Sequence, residues 1–222
     1  MRIGIDIDGV LTDLESFMIN YGTKFCVEEK LPIEIKEIKY NEKETFNLTD
    51  QQVEKFWNKC FVKYLKESNP REFVVEILNK LQEEGNDIYL ITARNEEGLP
   101  PEYYGKMQEL TKTWLQNNNI KYKKLIFAKD EEKILHCIEN QIDIMIEDSP
   151  KNIESISKQL PVIKYNCQYN NKINGKNITT AYSWYHIYII LSQFWAILGR
   201  FCFFFFWKTK KQNRPKIILF SF

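Results

Sequence analysis

The sequence predicts an α/β fold, in which a parallel β-sheet carries helices on both faces and a small helical cap is inserted after the first strand. Three observations lead to this prediction. Short apolar strands alternate with amphipathic helices over most of the chain, which is typical of parallel sheets with right-handed crossovers. Residues 14–69 interrupt the alternation with a mostly polar, helical stretch that carries aromatic anchors. The 222 residues allow one domain with a modest insertion, at about 150 residues per domain.

The first strand is predicted at Arg2 to Ile7, which is rich in isoleucine and has carboxylates at its carboxyl end. Asn69 and Pro70 are typical of a helix N-cap and first helical position, so we expect a helix to begin there and to end at Gly85. The remaining predicted elements are a strand at 87–92, a helix at 101–117, a strand at 125–128, a helix at 130–140, a strand at 143–146, a helix that opens at Ser149-Pro150, and a last strand at 161–165.

Three segments are expected along the chain. Residues 1–13 and 70–191 form the core, residues 14–69 form the helical cap, and residues 192–222 form a hydrophobic and then basic tail. The aromatic anchors of the cap are Phe17, Tyr21, Phe25, Phe56, Trp57, Phe61 and Tyr64. We expect most of these rings to pack in the interior of the cap.

The status of the tail stays open. Tyr185 to Trp207 is nearly all apolar, and its 23 residues are long enough to span a bilayer. Arg200 interrupts the run, and an arginine at that depth is costly. Residues up to about Leu191 fit a last helix of the domain. For residues 194–207 we weigh a weak membrane anchor against a non-native extension from a shifted reading frame in AT-rich DNA, and we favour the extension.

Composition excludes several classes of protein. Lys and Arg number 31 against 30 Asp and Glu, so the net charge of +1 argues against a partner such as a nucleic acid polymer that is bound by bulk charge. The five cysteines are widely spaced, which argues against a disulfide framework or a zinc site. The amino terminus lacks the apolar stretch of a signal peptide. We therefore expect a reduced, cytoplasmic location.

Polar residues follow three of the predicted strands. The first group runs from Asp6 through Asp8 to Asp13, the second is Leu90 to Arg94, and the third is Ile144 to Ser149. The carboxyl ends of parallel strands meet at one edge of the sheet, where the active site of such folds lies. Clustered carboxylates repel one another, and Mg²⁺, which prefers oxygen ligands, relieves that repulsion. Each group alone also has a structural explanation, as a turn or a helix N-terminus, but the three together favour a site.

The residue types at these ends fit phosphoryl transfer. Asp6 and Asp8 are two residues apart, and Gly9 allows a sharp turn that lets Asp8 point elsewhere. One carboxylate can attack phosphorus while the other donates a proton to the leaving oxygen. Thr92 offers a hydroxyl and a backbone N–H to phosphate oxygens, and a lysine would add a fixed positive charge.

These motifs resemble those of the haloacid dehalogenase superfamily of phosphohydrolases. DIDGVLTD is similar to its first motif, LITAR to its second and IEDSP to its fourth, and the resemblance covers about Arg2 to Leu191. The small cap between the first two motifs, Trp114-Leu115 and the late Tyr182 to Trp184 resemble the 5′-nucleotidase and 5′(3′)-deoxyribonucleotidase-like branch. The resemblance implies a Rossmann-like core.

The resemblance also implies roles at the first two motifs. Asp6 matches the nucleophile that forms an aspartyl-phosphate and is a metal ligand. Asp8 matches the general acid and base, and its backbone carbonyl would bind Mg²⁺. Thr92 matches the phosphate-binding hydroxyl, with Ala93 beside it as a second phosphate contact. Arg94 is expected to contact the substrate or to pair with a cap carboxylate.

The later motifs complete the implied site. Asp148 matches the third protein ligand of Mg²⁺, and Glu147 lies beside it in the inner or outer coordination sphere. For the motif lysine, Lys133 is favoured over Lys129, which stays the alternative. No role is assigned to either histidine.

The predicted function is that of a Mg²⁺-dependent phosphomonoesterase that acts on a small soluble phosphate, namely a nucleoside or deoxynucleoside 5′-monophosphate. One or two cap aromatics could stack on the base. One alternative is a phosphatase of a sugar phosphate or another small biosynthetic phosphate. An alternative of another class is an inactive phospho-ligand-binding or membrane-attached partner protein, against which the intact pair of Asp6 and Asp8 argues. The sequence leaves a homodimer open.

Overall fold

The computed structural model describes residues 1–194 of the chain. A six-stranded sheet forms the centre of the fold, in the order β3-β2-β1-β4-β5-β6, and every neighbouring pair is parallel. The strands are β1 (Arg2–Ile5), β2 (Asp87–Thr92), β3 (Lys124–Phe127), β4 (Ile144–Glu147), β5 (Val162–Tyr165) and β6 (Ile178–Ala181). This sheet confirms the predicted α/β class.

The centre of the sheet is formed by β1, which pairs with β2 on one side and β4 on the other. Ile3 and Ile5 are completely buried, as expected for a strand covered on both faces. Gly4 lies between them, and a Cβ there would come within 2.7 Å of the Met145 sulfur. The small residue therefore leaves room for the Met145 side chain on that face of the sheet.

The helices lie between the strands along the chain. They are α1 (Leu14–Glu28), α2 (Glu42–Phe46), α3 (Asp50–Glu67), α4 (Val74–Glu83), α5 (Met107–Asn117), α6 (Lys133–Glu139), α7 (Pro150–Ile156) and a last helical segment at 184–194. Two apolar clusters form the core of the sheet, and the larger one contains the buried Trp114 and Trp184. Their indole N–H groups donate to backbone oxygens of Ser68 (2.7 Å) and Val10 (3.2 Å), which satisfies these polar atoms.

Helices α1 to α3 form an insertion between β1 and α4. Their shared apolar cluster contains Met18, Phe25, Cys26, Phe46, Leu48 and Phe56. A capping box between Thr49 and Gln52 fixes the start of α3. Glu29 at the end of α1 pairs with Lys55 and Lys59 on α3. The division of the chain into a core and a cap at residues 14 and 69 stays a prediction.

The prediction of a helix start at Asn69-Pro70 is wrong, because α4 begins at Val74. Pro70 instead pairs with Thr12 in an antiparallel bridge, and the Arg71 N–H donates to the Leu11 carbonyl at 2.7 Å. Phe73 then adopts a left-handed conformation with φ of 66°. The tertiary pairing with the loop after β1 outweighs the local capping signal.

Two further predicted helices are divided in the structure. The segment at 101–117 begins with a short 3₁₀ turn at Pro101–Tyr103, and α5 begins only at Met107 because Gly105 has a φ of 78°. The segment at 130–140 likewise opens with a 3₁₀ turn before α6.

The prediction that the strand at 161–165 is the last one is wrong. The short strand β6 (ITTA) follows it and pairs with β5 at the sheet edge. Local patterns do not indicate β6, since it has only four residues and follows a polar loop. In the centre of the sheet, β1 ends at Ile5 rather than Ile7.

The last described segment, at 184–194, is helical and buries Trp184, Ile187 and Leu191 in the larger core cluster. Residues 195–222 lie outside the described part of the chain, so both interpretations of the run at 194–207 stay open. Within residues 1–194, no helix combines the length and the apolar character needed to cross a membrane. The four cysteines of this part are all free thiols.

Candidate active site

The ends of β1, β2 and β4 lie side by side, because β1 pairs with both of the other strands. The Asp6 N–H donates to the Ile146 carbonyl at 3.0 Å, so Asp6 lies directly beyond β1 and next to the end of β4. The structure thus brings the first predicted motif beside Thr92 on one side and Glu147 with Asp148 on the other.

Lys133 joins the carboxylates of two strand ends. Its Nζ lies 2.8 Å from Asp6 Oδ1 and 3.0 Å from Glu147 Oε2, and its side chain is 2% exposed. Burial opposes the charge of this ammonium, but Asp6 and Glu147 outweigh burial and raise the pKa of Lys133 well above its usual value. Lys129 is exposed and has no described ion pair with these carboxylates. The geometry therefore favours Lys133 over Lys129 as the motif lysine.

Glu147 uses both of its carboxylate oxygens within the protein. Oε1 accepts hydrogen bonds from the backbone N–H groups of Asp148 and Ser149, both at 3.1 Å, and Oε2 accepts from Lys133. The side chain is completely buried. Glu147 therefore fixes the turn after β4 and the ammonium of Lys133, and each of its oxygens already has a partner within the protein.

Asp148 has a free oxygen. Its Oδ2 accepts a hydrogen bond from the Tyr169 hydroxyl, whereas its buried Oδ1 has no hydrogen-bond partner. The carboxylate packs against Gly9, where a Cβ would come within 2.0 Å of Oδ2. Gly9 has a φ of 83°, so both the left-handed backbone and this close approach require glycine.

The donor set fits a divalent cation. Oxygens of Asp6, Glu147 and Asp148 lie within 4.8 Å of one another, and Lys133 supplies a single positive charge against three carboxylates. Burial, followed by Glu147, raises the pKa of Asp148 to about 8. Burial also raises the pKa of Asp6 well above its usual value, which Lys133 only partly offsets. A hard cation such as Mg²⁺ would relieve this excess of negative charge and occupy the unpaired Asp148 oxygen.

Asp8 points away from these three carboxylates and is held by two side chains. Arg94 donates from Nε to Oδ2 at 2.9 Å and from Nη2 to Oδ1 at 2.7 Å, a forked arrangement that fixes the plane of the carboxylate. The Tyr64 hydroxyl donates to Oδ1 at 2.8 Å and lies 2.6 Å from the Thr12 hydroxyl. Asp6 and Asp8 therefore face different surroundings, as the turn at Gly9 predicts.

Arg94 pairs with Asp8 rather than with a carboxylate of the cap, and its guanidinium is buried. Its contact with the substrate stays a prediction. Thr92 is also buried, and its Oγ1 accepts a hydrogen bond from the Arg94 N–H at 3.3 Å. The physical reason is that Arg94 follows β2 directly, so its side chain reaches across to the end of β1, the neighbouring strand.

A cavity of about 870 Å³ opens above the strand ends. Its floor includes Asp6, Asp8, Ala93, Arg94 and Lys133. Its opposite wall comes largely from the insertion and includes Tyr40, Glu42, Asp50, Glu54, Trp57 and Phe61. A substrate that reaches Asp6 would therefore extend toward aromatic rings and carboxylates of the insertion.

Tyr64 and Glu42 are among the residues of this site that the sequence analysis does not identify. Tyr64 was recognised only as an aromatic anchor, yet its hydroxyl reaches Asp8 from α3. Glu42 carried no signal, since an acidic residue in the first turn of a helix is common. Spatial proximity across the insertion, rather than sequence spacing, identifies both.

Comparisons with known proteins agree with this geometry. The family model described as "5′ nucleotidase, deoxy (Pyrimidine), cytosolic type C protein" matches residues 1–194. A candidate nucleotidase from Bacillus cereus is 30% identical over 188 residues, which are 81% of this chain and 94% of that protein. A candidate nucleotidase from Bacillus subtilis is 27% identical over 187 residues, which are 83% and 90% of the two chains.

Solved structures share the fold at low sequence identity. A haloacid dehalogenase-like protein from Agrobacterium tumefaciens superimposes with a TM-score of 0.65 at 14% identity. The superposition covers 87% of this chain and 98% of the Agrobacterium chain. A haloacid dehalogenase-like hydrolase from Streptococcus pneumoniae gives a TM-score of 0.59 at 14% identity. This superposition covers 86% of this chain and 97% of the Streptococcus chain.

Proposed function

Because the chain belongs to the family of 5′ nucleotidases, deoxy (pyrimidine), cytosolic type C, and is a phosphatase of the haloacid dehalogenase superfamily, we propose that it hydrolyses a nucleoside or deoxynucleoside 5′-monophosphate. The observation that carries this proposal is the continuous cavity from Asp6 to the aromatic wall at Trp57 and Phe61. Such a cavity accommodates a phosphate at one end and a flat base at the other.

In the proposed reaction, Asp6 attacks the phosphorus of the bound monophosphate. The bond between phosphorus and the 5′ oxygen breaks, and Asp8 donates a proton to that oxygen as the nucleoside leaves. An aspartyl-phosphate on Asp6 results. A water molecule, deprotonated by Asp8, then attacks the phosphorus, which releases inorganic phosphate and restores Asp6.

Three further groups assist in this scheme. Lys133 is positioned by Asp6 and Glu147 so that its ammonium can stabilise negative charge on the transferring phosphoryl group. Thr92 and Ala93 bind phosphate oxygens at the end of β2. Arg94 and Tyr64 keep the Asp8 carboxylate at one position, since both donate hydrogen bonds to it.

We propose Mg²⁺ as the cofactor, held by Asp6, Asp148 and the backbone carbonyl of Asp8, with Glu147 in the outer sphere. When bound, the ion supplies positive charge that keeps these carboxylates ionised and offsets the charge of the phosphate. The unpaired, buried Oδ1 of Asp148 supports this assignment.

The charge of the cavity narrows the substrate class. Both cations that line it, Arg94 and Lys133, are paired with aspartates, whereas Glu42, Asp50 and Glu54 line the insertion wall. A second phosphate or a carboxylate on the substrate would therefore meet negative charge. This arrangement favours a nucleoside monophosphate over a bisphosphate.

We further propose a cytoplasmic location, in line with the word "cytosolic" in the description of the family.

The test is a substrate panel with the full-length protein, with Mg²⁺ or with EDTA. It compares ribonucleoside and deoxyribonucleoside 5′-monophosphates, including pyrimidines, with ribose 5-phosphate, a sugar bisphosphate and p-nitrophenyl phosphate. We expect the highest kcat/KM for a nucleotide and loss of activity in EDTA. A higher kcat/KM for ribose 5-phosphate, or full activity in EDTA, would contradict the proposal.

A further inference from the structure

Glu42 is a buried carboxylate in the insertion wall of the cavity, and the proposed reaction gives it no role. It is the first residue of α2, its relative exposure is 7%, and it lines the same cavity as Asp6. Its Oε1 accepts a hydrogen bond of 2.7 Å from the indole N–H of Trp57 on α3. This bond fixes the carboxylate against the indole.

The second oxygen of Glu42 has no partner within residues 1–194. No hydrogen bond reaches Oε2, and no lysine, arginine or histidine of this part forms an ion pair with the side chain. Oε2 is not among the fully buried unpaired oxygens of residues 1–194, so it is accessible from the cavity that Glu42 lines. The arrangement is therefore that of an acceptor prepared for a donor from outside the protein.

The surroundings of Glu42 favour the same kind of ligand. Asp50, Glu54 and Glu97 line the cavity as well, and the two cations that line it are engaged elsewhere. A substrate group at this end gains attraction if it donates hydrogen bonds. A group that presents oxygen acceptors is repelled.

We propose that Glu42, oriented by Trp57, accepts a hydrogen bond from the exocyclic amino group of a cytosine or adenine base, so that the enzyme prefers 5′-monophosphates of amino-bearing bases. This inference rests on the proposed nucleotidase function. Uracil and hypoxanthine fit less well, because each carries a carbonyl oxygen at the position of that amino group. The carboxylate of Glu42 repels this oxygen.

The decisive experiment compares substrates that differ only in the amino group. AMP is paired with purine riboside 5′-monophosphate, and CMP with pyrimidin-2-one riboside 5′-monophosphate, on the full-length protein with Mg²⁺. A hydrogen bond to a charged group predicts that the amino-bearing member has a kcat/KM about tenfold higher or more. The difference should lie mainly in KM, since the amino group is remote from the phosphorus.

Glu42→Gln gives the matching change in the protein. The amide oxygen can still accept from Trp57, but the amide nitrogen now presents donors to the base. We expect the preference for AMP over purine riboside monophosphate to fall to about twofold or less, and UMP to gain relative to CMP. Glu34→Gln, an exposed residue of the insertion that does not line this cavity, is the matched control and should leave both ratios unchanged.

Each outcome separates this inference from the proposed function. Equal kcat/KM within both substrate pairs, or ratios that Glu42→Gln leaves unchanged, would overturn the inference while nucleotide hydrolysis still supports the function. Hydrolysis of p-nitrophenyl phosphate with no hydrolysis of any nucleotide would overturn both. If Glu42→Gln does not fold by thermal melting, Trp57→Phe provides the second test, since it removes the indole donor while it keeps an aromatic ring in the wall, and it should also reduce the preference.

Discussion

The two sides of the cavity differ in how their charged groups are paired. On the sheet side, Asp6, Glu147 and Lys133 form a buried ion-pair group, and Asp8 is held by Arg94. On the insertion side, the carboxylates are exposed, as in Asp50 and Glu54, or bonded through one oxygen, as in Glu42. The sheet side has the fixed geometry that bond-breaking requires, whereas the insertion side keeps acceptors open for a ligand.

This difference predicts two kinds of mutational effect. Removal of one partner from a buried ion pair leaves an uncompensated charge, so changes on the sheet side should be large and should not depend on which base the nucleotide carries. Changes on the insertion side should be smaller and should depend on the base.

Asp6→Asn should abolish turnover, with a loss of about 10⁴-fold or more in kcat, because the amide cannot form the phosphoenzyme. The loss should be equal for a nucleotide and for p-nitrophenyl phosphate. The measurement is initial-rate release of phosphate. Asp87→Asn at the opposite end of the sheet is the control and should stay active. Substantial turnover by Asp6→Asn would exclude it as the nucleophile.

Asp8→Asn should lower kcat by about 10²–10⁴-fold on a nucleotide, because the leaving alkoxide needs a proton. The loss on p-nitrophenyl phosphate should be smaller, since p-nitrophenolate leaves without protonation. The measurement is the ratio of kcat on the two substrates. If this variant affects both substrates equally, Asp8 is not the general acid.

Lys133→Ala should reduce kcat by about 10²–10³-fold on every substrate, as expected for the loss of one group that stabilises transition-state charge. It should also lower stability by about 3–5 kcal/mol, since Asp6 and Glu147 lose their buried partner. Lys129→Ala is the matched control. It should change kcat by no more than about twofold and the free energy of unfolding by no more than about 0.5 kcal/mol. The reverse order of effects would identify Lys129 as the motif lysine.

Tyr64→Phe sharpens the contrast, since Tyr64 belongs to the insertion by sequence but is buried against Asp8. Loss of one hydrogen bond to a charged group predicts a decrease of about tenfold in kcat on a nucleotide. The decrease on p-nitrophenyl phosphate should be smaller, because the effect acts through Asp8. Tyr185→Phe, which loses a hydroxyl bonded to the remote Glu76, is the control. Equal decreases on both substrates would point to a structural role alone.

Metal removal should make stability depend on pH. Asp148 has a folded-state pKa of about 8 against about 3.9 in an unfolded chain, because burial and Glu147 outweigh Tyr169, Lys133 and Arg71. The folded state thus retains a proton that the unfolded state has lost between these values. Stability in EDTA should therefore fall as pH rises through this window.

Thermal melting at several pH values between 5 and 8.5 measures this effect. We expect the melting temperature in EDTA to fall by several degrees toward high pH, and Mg²⁺ to restore most of the loss. Asp148→Asn should flatten the pH dependence in EDTA. A metal-free protein that is more stable at pH 8 than at pH 5 would contradict the assignment of this carboxylate group.

The parallel sheet and the residues at its strand ends were predictable because their signals are local. DIDG, LITAR and IEDSP each lie at the end of a short apolar strand, and parallel pairing brings such ends to one edge. The start of α4 was not predictable in this way. Asn69 and Pro70 have the right types for a helix start, but the bridge from Pro70 to Thr12 takes them out of the helix.

The sequence by itself determined the α/β class, the order of the motifs and which residue types could carry phosphoryl transfer, since these depend on periodicity and spacing along the chain. Only the tertiary structure decided that Arg94 and Tyr64 hold Asp8, that Lys133 rather than Lys129 meets Asp6, and that Glu42 faces the same cavity. The physical reason is that these contacts join residues from separate elements. Burial and charge pairing between packed elements, which no local pattern encodes, select those partners.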